Sequence, residues 1–274
     1  MKTSHLKTLN ALAGPLFLCM GLASAFGIFL PDTYARELPS FAAQGAGQDV
    51  VNLFLGGPLL LGSLWFMNRG SKTASWIYGG MLFYYLYSYI IYTFGIHYNS
   101  FFLLYCATLA LSTYSFIFWV SAHAGTDLRT WFTKAPPVRF TSVFILVIAA
   151  LFYMIWLKDI LPPLFQGDAP QFVKDNNYQV NAVHAIDLSF ALPGLIVVGI
   201  LLWKGRPMGL LLAPVVLVFI VVLTVALAAM ILAVRLRGLS DDASLVVIFG
   251  VLALIAATIL VRFLKNLANG QEKS

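Results

Sequence analysis

The sequence predicts an all-α fold: a polytopic membrane bundle of eight transmembrane helices, folded as one domain over residues 1–274. Three observations predict it. Of the 274 residues 60% are hydrophobic and 10% charged, where a soluble domain carries about a quarter charged residues. Eight apolar runs approach the roughly 20 residues that a helix needs to cross a bilayer core. Lysine and arginine divide unevenly between the two sets of joins, as orientation in a membrane demands.

The runs cover 10–30, 49–67, 75–95, 100–121, 140–157, 185–203, 208–234 and 244–264. The first follows Lys2 and Lys7 and contains Ala23-Ser24-Ala25, which imitates a signal-peptide cleavage site. Its apolar character continues through Phe26 to Leu30, which favours an uncleaved span. The second run opens on Asp49 and carries Pro58 with Gly56, Gly57 and Gly62. The third is rich in tyrosine, and Tyr78, Tyr85, Tyr89 and Tyr92 share one face at helical spacing. Phenols near mid-membrane need partners, so this face is expected to point into the bundle. The fourth run carries Tyr105 early, and the fifth is almost wholly apolar. The sixth follows His184 and contains Asp187 and Pro193. The last two, rich in Val, Leu and Ala, suggest scaffold or lipid-facing helices.

Twelve basic residues lie on the side of Arg69, Arg129, Lys204 and both chain ends, and five lie on the other, with Arg36, Lys158, Lys174, Arg235 and Arg237. The richer side is expected to be cytoplasmic, as in a bacterial-type inner membrane. This placement accounts for the net charge of +6 without nucleic acid as a partner; the expected partner is the lipid bilayer. Trp65, Trp76, Trp119 and Trp203 fall at inner ends and Trp156 at an outer end, where an interfacial belt would put them. Trp131 and Phe132, in an inner join, suggest a segment resting on headgroups.

Asp49 precedes Trp65 by the same sixteen residues that separate Asp187 from Trp203. This spacing raises a duplication into repeat units 1–122 and 138–268. Ionisable groups inside spans cost about 2.5–3.5 kcal/mol at mid-helix and draw functional suspicion. Asn52 shares a face with Asp49, and Asn181, His184 and Asp187 share another. The plainer reading makes each acid a cap of its helix's first turn. His97, Tyr98 and Asn99 add polar groups at the outer end. One His beside one Asp makes no metal site, and no phosphate loop, nucleophile elbow or dinucleotide fingerprint appears, so no cofactor is indicated. Cys19 and Cys106 sit in apolar runs and read as packing.

The pattern Gln48-Asp49-x-x-Asn52, the tyrosine-rich span ending Phe94-Gly95-x-x-x-Asn99, and His184-x-x-Asp187 followed by Pro193 resemble a group of multi-pass bacterial membrane proteins. The resemblance implies a membrane bundle and carries no activity with it. The residues themselves point to an outward polar pocket between the second, third, fourth and sixth spans. It would bind and transport a small solute or cation through Asp49, Asn52, Tyr85, Tyr89, Tyr92, Asn99, His184 and Asp187. An intramembrane enzyme using His184 and Asp187 as acid and base is the alternative. A sensory or assembly subunit without chemistry is the third.

Overall fold

A computed structural model describes residues 3–267, which are helical with no strand among them; helix accounts for 81% of the structure. Eight long helical columns run in turn between two ends of a bundle. They are α1 (Thr3–Phe29), α2 (Pro39–Asn68), α3 (Lys72–Phe94), α4 (Phe102–His123), α5 (Val138–Phe165), α6 (Ala182–Trp203), α7 (Pro207–Leu236) and α8 (Ser244–Leu264). All but α3 are long and apolar enough to cross a membrane.

The physical reason for the exception lies in packing. No residue of α3 from 72 to 93 is exposed, and its neighbours are α2, α4, α6 and α7. A helix walled in by protein on every side has no lipid to satisfy, so it can carry tyrosines. Helix α7 is equally central, with nothing exposed between 209 and 231. Its Val- and Leu-rich sequence therefore meets protein, which makes that run the scaffold of the two expected alternatives; α8 is the outer of the two. Glycine brings α3 and α7 together. A Cβ on Gly80 would stand 2.4 Å from Val218 Cβ, so only glycine admits this crossing.

One end of the bundle gathers the start of α1, the end of α8 and the joins between them. There Asn10 and Asn68 exchange side-chain hydrogen bonds, Arg129 donates to the Gly205 carbonyl, and Thr133 donates to that of Asn266. The opposite, distal end gathers the joins at 30–38, 95–101, 166–181 and 237–243. Arg36 donates there to the Tyr98 carbonyl, and Phe41 packs edge-on against Phe172.

The tryptophans divide by role. Trp65 and Trp203 are about half exposed and fit an interfacial belt. Trp76 and Trp119 are fully buried and donate to the Leu211 carbonyl and the Ser75 hydroxyl, so they are core anchors instead. Trp131 and Phe132 tuck against Trp76, which closes the end of the bundle and replaces the expected headgroup contact.

Both α2 and α6 are interrupted by one wide turn. Five residues, Asn52–Gly56 in α2 and Asp187–Ala191 in α6, adopt π-helical geometry, and Gly57 and Leu192 donate to carbonyls five residues back. Each turn is followed, after one residue, by proline: Pro58 and Pro193. A proline ring clashes with the carbonyl four residues earlier, here Phe54 and Ser189, both inside the wide turns. Widening the turn relieves that clash. The shared register pairs Asp49 with His184 and Asn52 with Asp187, three positions away from the pairing that the tryptophans suggest.

Candidate functional site

The stretch before Asp49 reads as a loop because of its glycines, yet α2 begins ten residues earlier at Pro39. Gly47 is spent on close approach, since a Cβ there would lie 2.7 Å from the Ala229 carbonyl of α7. Asp49 is therefore no first-turn cap. It lies inside the bundle, fully buried, where Tyr34 donates to Oδ2 at 2.5 Å and Tyr92 donates to Oδ1 at 2.9 Å. The Ser24 hydroxyl and the Asn52 amide lie close to the same carboxylate. Buried carboxylates persist only when such donors replace water.

Around Asp49 the other tyrosines complete a network. Tyr84 donates to Asn52 Oδ1 at 2.7 Å, and Tyr85 donates at 3.0 Å to the Asn52 carbonyl, which also receives the wide-turn bond from Gly57. Tyr89 stacks on Tyr92 with ring centroids 5.1 Å apart and makes a long 3.5 Å contact to the Met20 carbonyl.

A second buried carboxylate, Asp187, begins the wide turn of α6. Tyr87 donates to it at 2.8 Å and the Trp156 indole at 2.7 Å. It is 6% exposed against 0% for Asp49, so Asp49 is the more enclosed of the two. His184 does not pair with Asp187. Its Nε2 faces Asp159 of α5 at 3.5 Å, and its ring packs on Trp156. Asn181 stands just before α6 and caps it, accepting from the Val183 and His184 amides.

Between these groups lies a cavity of about 540 Å3 at the distal end. Helices α2, α3, α5, α6 and α7 line it, with Tyr34 and Phe172 from the joins. The fourth span takes no part, and the fifth and seventh do, which corrects the expected set of walls. Neither Asp49 nor Asp187 lines the cavity. Their partners do: Tyr34 and Tyr92 for the first, Tyr87 and Trp156 for the second. Each carboxylate thus stands one side chain behind the wall. His184 and Asp159 line the cavity directly, with Gln44 and Gln48 as further polar groups.

Of the expected residues, Asp49, Asn52, Tyr85, Tyr89 and Tyr92 form one cluster, Asp187 forms a second, and His184 stands on the wall between the helices. Asn99 reaches the cluster only at second hand: it donates to the Thr33 carbonyl and to Tyr105, whose buried ring packs on Tyr89 and Tyr92. Sequence reasoning missed Tyr34, Tyr87, Trp156 and Asp159. Their signal exists only in three dimensions, because each sits on a different element from the group it serves.

The joins above the cavity are fastened at Glu37. Its carboxylate accepts from the His97 amide at 2.7 Å, meets His97 Nδ1 at 3.1 Å and accepts from the Tyr178 hydroxyl. Burial, and then the Glu37 carboxylate, hold the Tyr178 phenol well above its usual range. Comparison with known proteins adds no name to this arrangement: no family model, curated protein or solved structure matches the chain.

Proposed function

We propose that the chain is an eight-span protein of a bacterial-type cytoplasmic membrane, with both termini cytoplasmic, whose distal cavity opens outward to bind and carry a small solute. The observation that carries this reading is the cavity of about 540 Å3 walled by side chains tied to two buried carboxylates. Its volume falls in the range of small-molecule sites, about 300–1,000 Å3. The twelve-to-five division of basic residues supports the orientation. Complete enclosure of α3 supports the eighth span, since its tyrosines then cross without meeting lipid.

The paired wide turns support a duplication in which α2 and α6 are equivalent. Interrupted helices beside a central site, in repeated units, are a recurrent device of transporters. Single π-turns also concentrate at functional positions. In this reading the turns are the hinges, and Tyr85 and Tyr84 hold the first of them through Asn52.

A second reading rests on one contact. His184 and Asp159, 3.5 Å apart on the cavity wall, form an acid–base pair that an intramembrane enzyme could use. Proteoliposomes loaded with a defined mixture of small metabolites separate the readings. Carriage predicts that one solute leaves intact, faster than from vesicles holding Leu227→Trp, which fills the cavity. Catalysis predicts a new product. Identical contents from both vesicle types would sink the first reading.

A further inference from the structure

We propose that the solute is an organic monocation, an alkylammonium compound seated among Tyr34, Tyr87, Tyr92 and Trp156. This rests on the reading of the cavity as a solute site and adds the class of ligand.

The argument begins with what lies behind the wall. Each of the four aromatic side chains donates its polar hydrogen to a buried carboxylate: two to Asp49 and two to Asp187. Such donation shifts electron density into the ring, and a richer ring attracts a cation more strongly. Neither carboxylate has a cationic side chain within ion-pair distance among the described residues; the pairs found there are His97–Glu37, Lys174–Asp168 and His184–Asp159. Behind the wall, then, stand two carboxylates with no cationic side chain in ion-pair distance among the described residues, which favours a cation in the cavity.

Three further observations narrow the class. No lysine or arginine lines the cavity, among the described residues, so an anionic ligand finds no side chain of fixed positive charge. Asp159, with its side chain half exposed, supplies one carboxylate that a ligand can reach directly. Beside the polar Gln44, Gln48, Asn181 and His184, the lining includes Ile91, Leu223, Leu227 and Met230, which suit alkyl groups around a charged centre. A bare metal ion fits poorly, because no three His, Cys, Asp or Glu gather among the described residues. Aromatic cages with a nearby carboxylate are the usual way that proteins hold such ammonium groups.

Free ammonium compounds and ammonium-bearing lipid headgroups present the same chemistry. Both sources are tested with the full chain. In dodecyl maltoside, which offers no ammonium, choline and its neutral isostere 3,3-dimethylbutanol are titrated calorimetrically. The expected result is choline bound at least about tenfold more tightly than the alcohol. Asp159→Asn, a change at a half-exposed position, is expected to weaken choline and leave the alcohol unchanged. Repeating the titration in bilayers containing phosphatidylethanolamine identifies the source: competition points to the headgroup, and undiminished choline binding points to a free solute. Equal binding of choline and the alcohol, or binding of neither, overturns the inference. The cavity reading survives either result if Leu227→Trp still blocks solute loss from proteoliposomes, and it falls only if that difference is absent.

Discussion

His184 stands in α6 where Asp49 stands in α2: each lies three residues before a five-residue π-turn and nine before its proline. The equivalence gives the two helices related construction and different chemistry. At the first position a carboxylate is sealed behind Tyr34 and Tyr92; at the second an imidazole lines the cavity.

Proline causes the wide turns in this account, so its removal is expected to close them. In Pro58→Ala the amide of residue 58 can bond four residues back, and hydrogen exchange over 52–58 is expected to slow. The turn at Asp187–Ala191 is expected to stay as it is, and Pro193→Ala to give the converse. Unchanged exchange in both variants would show that the turns have another cause.

Tyr92→Phe removes a donor from a buried carboxylate. Leaving such a group short of partners costs about 1–3 kcal/mol. A lower unfolding midpoint is expected, and Tyr89→Phe, whose hydroxyl makes a long 3.5 Å contact to the Met20 carbonyl and meets the Ser24 hydroxyl rather than a carboxylate, is expected to cost less. Equal losses would mean that ring packing, not the bond to Asp49, fixes this face.

At the crossing of α3 and α7, Gly80→Ala is expected to destabilise by about 1–3 kcal/mol through overpacking. Val218→Gly in the same chain removes the Cβ and Cγ1 that the new methyl meets and is expected to restore part of the loss. Additive losses would contradict the close crossing.

The Glu37 clasp carries a pH dependence. Its phenol, Tyr178, has a folded pKa raised above the ordinary value of 10.0. Its contribution is therefore fully present below that value and drains away as pH rises through the higher, folded one. An alkaline titration followed at the phenolate absorbance is expected to match that of Tyr178→Phe near the ordinary value, the two proteins parting only at higher pH. A difference between the two proteins appearing near 10.0 would contradict the buried contact.

Much of the fold was legible because apolar length is written directly into the chain: each long column of the bundle contains one of the runs at 10–30 through 244–264. What escaped has physical reasons. Gly45 and Gly47 read as loop, whereas they serve close approach inside α2. A uniformly apolar α7 looks the same whether it faces lipid or protein, since periodicity vanishes in both cases. Of the site, the polar residues inside spans were visible because they are costly there. Their partners were not, since Trp156 reads as a belt residue and Asp159 as a helix end until α5 packs on α6. The tryptophan spacing relates α2 to α6 in one register, whereas the prolines and wide turns of the two helices share another, three residues away.

The account stands most directly on an outward cavity that a solute can enter. With Cys19 and Cys106 replaced by alanine, Gln44→Cys places one thiol on its wall. A membrane-impermeant maleimide applied outside intact cells is expected to label that thiol, and Leu227→Trp in the same chain is expected to suppress the labelling. Ser75→Cys, buried beside His123 at the opposite end, is expected to stay unlabelled. Labelling of Ser75→Cys from outside with Gln44→Cys silent would invert the orientation, and labelling of Gln44→Cys untouched by Leu227→Trp would contradict the cavity as the route.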